Sequence, residues 1–141
     1  MSFKLLHEIL DEFDQAKTRD EKVGVLRKYD SKNLREFFVA LFNESVQFDV
    51  EVPNYRPAPE PAGLNYLYLE TEIPKLYRFV KNHPSRAEGL TEKKKKELLL
   101  VMLESLHKDE ASLLVKLIKK DLGIKFLTPS LVKEAYPNIN I

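Results

Sequence analysis

The chain has no cysteine. A disulfide frame, a thiolate zinc site and a cysteine nucleophile are therefore excluded. Glycine is scarce too, with four in 141 residues, too few to line a phosphate cradle with backbone amides. The G-x-x-x-x-G-K-[ST] phosphate loop, the G-x-G-x-x-G turn, the H-E-x-x-H zinc helix and the G-x-S-x-G elbow are all missing. The three histidines, His7, His83 and His107, are scattered along the chain. His107 falls at a helix end, where a cation is favourable, and none of the three is expected to bind a metal or to act in catalysis. Carboxylate pairs such as Asp11 and Asp14 lie on a helix surface with no partner to tune them. No apolar run, Leu98 to Leu103 included, exceeds six residues, against the roughly 20 that a membrane helix needs. At the N-terminus, Glu8, Asp11 and Glu12 interrupt any leader-like pattern. These absences predict a non-enzyme of the cytoplasm, with no cofactor, no small-molecule substrate and no membrane contact.

What is present describes one globular domain spanning residues 1–141. Apolar residues make up 43% of the chain and charged residues 32%, enough of the former to build a core without staples. The formal net charge is only +1, but residues 1–74 carry −5 and residues 75–141 carry +6. Such an imbalance can support an electrostatic face, although a lysine-rich helix is often just a solvated one.

Helical periodicity dominates. Leu6, Ile9, Leu10 and Phe13 share one helix face, with Ser2 as candidate cap. Thr18 and Glu21 form a capping box for a second helix through Val23 and Leu26, weakened at Gly24. Ser31 starts a third, whose Leu34, Phe37, Phe38, Leu41 and Phe42 read as core. The stretch VQFDVEVPNYRPAPEPAG then sets four prolines between Pro53 and Pro61. Proline removes backbone donors and blocks helix, so residues 46–63 read as an extended connector, with a short edge strand over Gln47–Val52. LNYLYL packs as a strand or leads into the next helix. Thr71 and Pro74 open a helix carrying Leu76, Tyr77, Phe79 and Val80. NHPSRAEG breaks it. Thr91 caps the longest helix, Asp109 caps the next, which ends near Gly123, and Thr128-Pro129 opens the last. The predicted fold is all-α: a single compact domain of about seven helices with a Pro-rich extended connector.

The segment DEASLLVKLIKKDLGIKFLTPSLVKEAYPNI, Asp109 to Ile139, resembles the closing segment of the N-terminal α-helical DNA-binding domain of ATP-dependent DNA ligases. There a helix ends in a basic residue followed by Asp-Leu, a short loop follows, and a final helix leads to an aromatic-proline exit. Lys120, Asp121 and Leu122 match the first part, and Tyr136, Pro137 and Ile139 the last. The opening helices are loosely similar to phage ligases, so the likeness spans nearly the whole chain. The nucleotide-attachment motif K-x-D-G is absent, since Lys119-Lys120-Asp121-Leu122 lacks the glycine. The resemblance therefore implies neither ligation nor adenylylation by this polypeptide. Where the family's loop carries glycine and a small residue, this chain has Lys125 and Leu127.

The resemblance implies binding across the minor groove of duplex or nicked DNA, through phosphates and without base reading. Lys119, Lys120, Lys125 and Lys133 surround the last turn, and Thr128 and Ser130 offer hydroxyls at a helix start. Lys93, Lys94, Lys95 and Lys96 form a second cluster at a helix start where the dipole opposes them. For each group a plain reading competes: capping for Thr128-Pro129, a solubility face for the lysines. Two further readings stay open. One is a helical protein-interaction module that kept the fold without the DNA surface. The other is a split-ligase subunit with the Pro-rich segment as docking arm. DNA binding predicts the four loop lysines on one face with Thr128. An interaction module predicts dispersed charges and an exposed apolar patch around Tyr55, Tyr66 or Tyr68.

Overall fold

The computed structural model describes residues 5–56, 68–84 and 89–141. Those residues form a single all-helical domain of seven α-helices: α1 Leu6–Gln15, α2 Arg19–Lys28, α3 Lys32–Phe42, α4 Leu69–Glu72, α5 Glu92–Glu104, α6 Lys108–Ile118 and α7 Pro129–Ala135. A 3₁₀ segment, Ile73–Phe79, continues α4. Among the described residues no helix is long and apolar enough to cross a membrane.

Local chemistry sets most helix starts. The hydroxyls of Thr18, Ser31, Thr91 and Thr128 accept the amides of Glu21, Leu34, Lys94 and Leu131, the usual remedy for the orphan donors of a first turn. The return arm of the Thr18 box lands one residue early, since Glu21 accepts from the amide of Lys17. At α1 the cap position is Leu5, whose amide donates to Glu8; the predicted cap Ser2 lies outside the described residues. The fourth helix begins before Thr71, which instead donates its hydroxyl to the carbonyl of Tyr68, and Pro74 falls in the first turn of the 3₁₀ segment. His107, not Asp109, caps α6.

The end of α6 also departs from the glycine expectation. Lys120 takes the left-handed conformation, φ 58°. Its amide donates to the Leu117 carbonyl, and the Asp121 amide to that of Lys116, the paired bonds of a Schellman stop. A lysine tolerates this position because its amine is anchored at 2.6 Å to the carbonyl of Asn43, the last cap of α3, and also to Val46. Gly123, likewise left-handed at φ 67°, lies beyond that stop.

Helix α6 contacts α1, α3, α4 and α5, while α2 lies between α1 and α7. Phe13, Phe37, Phe38 and Phe79 are fully buried, with Leu26, Leu99, Leu103, Leu114 and Leu117 among them. The connector is not free along its described part. Phe48 pairs with Val80 in an isolated antiparallel bridge, and Val50, Val52 and Tyr55 pack on the core. The Arg56 amide then donates to Glu104 of α5. The exit is fixed as well: the buried Tyr136 donates its hydroxyl to the Leu26 carbonyl, and burial pushes its phenol well up. The guanidinium of Arg35 stacks 4.8 Å from the Tyr136 ring while binding both oxygens of Asp30 at 2.7 Å.

One polar contact ties three helices together. Glu110, 1% exposed in the first turn of α6, accepts the His7 amide and His7 Nδ1–H at 3.0 Å through one oxygen. Its other oxygen accepts the Leu69 amide at 3.3 Å. Both amides are first-turn donors, of α1 and of α4, without helical partners. Glu110→Ala would orphan them in the interior and is expected to lower the unfolding free energy by about 1–3 kcal/mol for each. Gly24→Ala is expected to raise it by about 0.5–1 kcal/mol, because that exposed helical position has open space where a Cβ would sit. Urea unfolding of both variants checks the pair of signs.

Candidate nucleic-acid interface

The structure divides the predicted lysines into two kinds. Lys95 is fully buried: its amine donates at 2.8 Å to the Asp49 carbonyl, and it lies 2.6 Å from Glu92 and 3.2 Å from the Asp49 carboxylate. It fastens the connector to the start of α5. Lys96 leans toward Glu51 at 3.5 Å. Lys120 also turns inward, onto the end of α3, where burial lowers the pKa of its amine. Lys93, Lys94, Lys119, Lys125 and Lys133 are exposed. The inward pair follows a physical rule. Carbonyls at helix ends and in connectors lack amide partners, and an ammonium on a long apolar stem can reach them.

Lys22, which the sequence reading did not single out, is a third such lysine. It is 5% exposed, and its amine donates to the carbonyls of Phe13 and Asp14 at the end of α1. Above it lies the loop between α6 and α7, and there the structure exposes Phe126. This residue is 63% exposed and left-handed, φ 68°, an unusual conformation for a bulky side chain. The amines of Lys22 and Lys125 stand 5.8 and 5.9 Å from its ring centre. Beside it, Thr128 spends its oxygen on capping α7. Ser130 accepts from Arg19 at 3.3 Å, and Arg19 also pairs with Glu134 at 3.5 Å. Helix α7 has seven residues, so Thr128-Pro129 is a plain cap rather than a strong dipole end. Lys133 lies one turn beyond Ser130, and Lys119 at the far end of the loop, on the last cap of α6.

Lys125 and Lys22 thus flank Phe126, and Thr128 and Ser130 follow it in the chain, with Arg19 on Ser130. Lys95 and Lys96 belong to another part of the fold, against Asp49 and Glu51, and Lys93 and Lys94 are exposed beside them in the first turn of α5. Tyr55 and Tyr68 are half-buried and form no exposed apolar patch; Tyr66 lies outside the described residues. Phe126 could have been noticed in the sequence as an aromatic between Lys125 and Leu127, but its exposure depends on the left-handed turn.

The histidines are less scattered than the sequence implied. His7 and His107 stack with ring centres 5.9 Å apart and planes 17° off parallel. His7 Nε2 lies 3.9 Å and His107 Nδ1 3.7 Å from one oxygen of Asp109. The hydrogen bond to Glu110 raises the pKa of His7 against the opposing effect of burial.

Residues 9–124 match a family of unknown function, DUF6433, and the chain belongs to that family. No curated protein matches the chain.

The division of the lysines has a measurable consequence. Lys95→Ala and Lys120→Ala are each expected to cost about 1–3 kcal/mol of stability. Lys119→Ala, Lys125→Ala and Lys133→Ala should stay within about 0.5 kcal/mol of the parent. Chemical denaturation of the five single variants measures the contrast.

Proposed function

We propose that this DUF6433 member is a non-catalytic, sequence-tolerant accessory protein that binds duplex DNA, built like the DNA-binding domain of a DNA ligase, phage-encoded and acting in the host cytoplasm. The observation that carries the reading is Phe126, a bulky side chain exposed in a left-handed conformation with two lysine amines within 6 Å of its ring. An apolar tip beside the exposed Lys125, with the buried Lys22 amine near its ring, suits a partner that alternates anionic and apolar surface at short range, as the sugar–phosphate rim of a minor groove does. Lys119, Lys125 and Lys133, exposed along the loop and α7, act as the phosphate contacts. Lys120 supports the surface from within, and Lys93 and Lys94 form at most a peripheral contact.

A second reading, a helical protein-interaction module, draws on a groove of about 560 Å³ between α3 and the 3₁₀ segment, lined by Val39, Phe48, Ile73, Leu76, Tyr77 and Val80. Its apolar lining suits a helix or peptide better than a nucleic acid.

Fluorescence anisotropy with nicked, intact and single-stranded DNA across a salt series separates the two. For three phosphate contacts the slope of log K against log salt is about −2.7, and the Lys119/Lys125/Lys133 triple alanine variant should abolish most of it. Phe126→Ala should weaken binding yet leave the slope unchanged, because an apolar contact releases no counterion. Absence of binding to every DNA at low salt would sink the proposal and favour the groove.

A further inference from the structure

We propose that His7, His107 and Asp109 form a binding site for a divalent transition metal of the zinc type, with a fourth position open. The site is independent of the DNA reading and lies where the first turn of α1 meets the start of α6. One ligand atom from each of the three residues lies within 4.8 Å of the other two. The two distances to Asp109 Oδ2, 3.9 Å from His7 Nε2 and 3.7 Å from His107 Nδ1, compare with about 3.3 Å between ligands of a tetrahedral zinc ion. The Asp109 distances exceed that spacing by a few tenths of an ångström, while the two histidine nitrogens, within 4.8 Å of one another, close on an ion by turning both rings toward it.

The tautomers point the same way. Glu110 can only accept, so His7 Nδ1 carries a proton toward it, and in the neutral ring Nε2 keeps a lone pair. That lone pair lies 3.9 Å from a carboxylate oxygen, and a cation between the two acceptors would bind both. A second proton on His7 supplies one, and a metal ion supplies another. His107 Nδ1 accepts the Asp109 amide at 3.2 Å, so it too carries a lone pair, and ligation there exchanges a long cap bond for a coordinate one. Glu110 meets the further requirement of a metal-bound histidine, a carboxylate that accepts from its other ring nitrogen and fixes the ring. It is 1% exposed and held by two backbone amides besides.

Charge at the site is mixed, and its magnitude decides. The starts of α1 and α6 converge here, contributing roughly half a positive charge each; α4, with four residues, adds little, and Lys116 lines the neighbouring cavity. Against them stand Asp109 and Glu110, with Glu8 close enough to act on His7 and Asp11 and Asp14 on the wall of that cavity. The carboxylates outnumber the positive sources, and the net field favours a dication. Two imidazole nitrogens and one carboxylate, with water completing four-coordination, suit zinc or cobalt(II) better than calcium or magnesium.

The test is titration of chelator-stripped protein with cobalt(II) chloride at about pH 8, where free imidazole is neutral, followed by displacement with zinc chloride. Expected are one ion per chain, visible bands of tetrahedral cobalt that zinc removes, and a zinc-dependent rise in melting temperature. His107→Asn keeps a good helix cap while deleting an imidazole, so it should stay folded and lose the cobalt bands. Asp109→Asn should weaken zinc at least tenfold. Wild-type protein that shows no tetrahedral cobalt spectrum, or binding undiminished in both variants, overturns the proposal.

Discussion

A buried carboxylate holds this fold at its crossing point. Glu110 sits where α1, α4 and α6 begin, and it accepts the amides of His7 and Leu69 that those helices cannot satisfy themselves. A helix start buried without such a partner carries unmet donors at several kcal/mol, so the three helices can converge only because an acceptor waits there. The apolar packing of α6 against its neighbours presupposes this contact. His7 is oriented by it, and the stacked histidines owe their geometry to it.

The same economy governs the cations. Lys22 serves the end of α1, Lys120 the end of α3, and Lys95 the connector carbonyl at Asp49. Each replaces a missing amide at a place where the chain leaves regular structure. Surface charge in this protein is therefore smaller than the lysine count suggests, and of the exposed lysines Lys125 stands beside Phe126. That residue lies in a loop entered through the left-handed Lys120 and Gly123, which makes its exposure a product of the turn and not of sequence hydropathy.

How legible this was in the sequence depended on distance along the chain. Four of the caps, at Thr18, Ser31, Thr91 and Thr128, were readable because capping is decided within four residues. The phenylalanines of α3 were readable as core from their periodicity. Asp109 misled as a cap because His107, two positions earlier, offers a ring nitrogen to the Asp109 amide itself. Gly123 misled as a helix stop because Lys120 is held in the left-handed turn by carbonyls on a different helix. The inward turn of Lys95 and the meeting of His7 with His107 depend on long-range packing and left no local trace. The candidate interface was visible as a loop rich in lysine, but which lysines remain available was decided by partners elsewhere in the chain.

The Glu110 contact also bears on how the molecule folds. It joins residues 103 and 41 positions apart, which is distant for a helical domain. Closing such loops costs entropy that only later contacts repay, so helices and the local α1–α2 pair can form well before the three starts are gathered. Folding should accordingly be slower than helical content alone suggests, with the gathering of the three starts as its late step. Substitutions at the exposed Lys125 and Phe126, which take no part in that closure, can vary the outer surface and leave the rate of assembly nearly untouched.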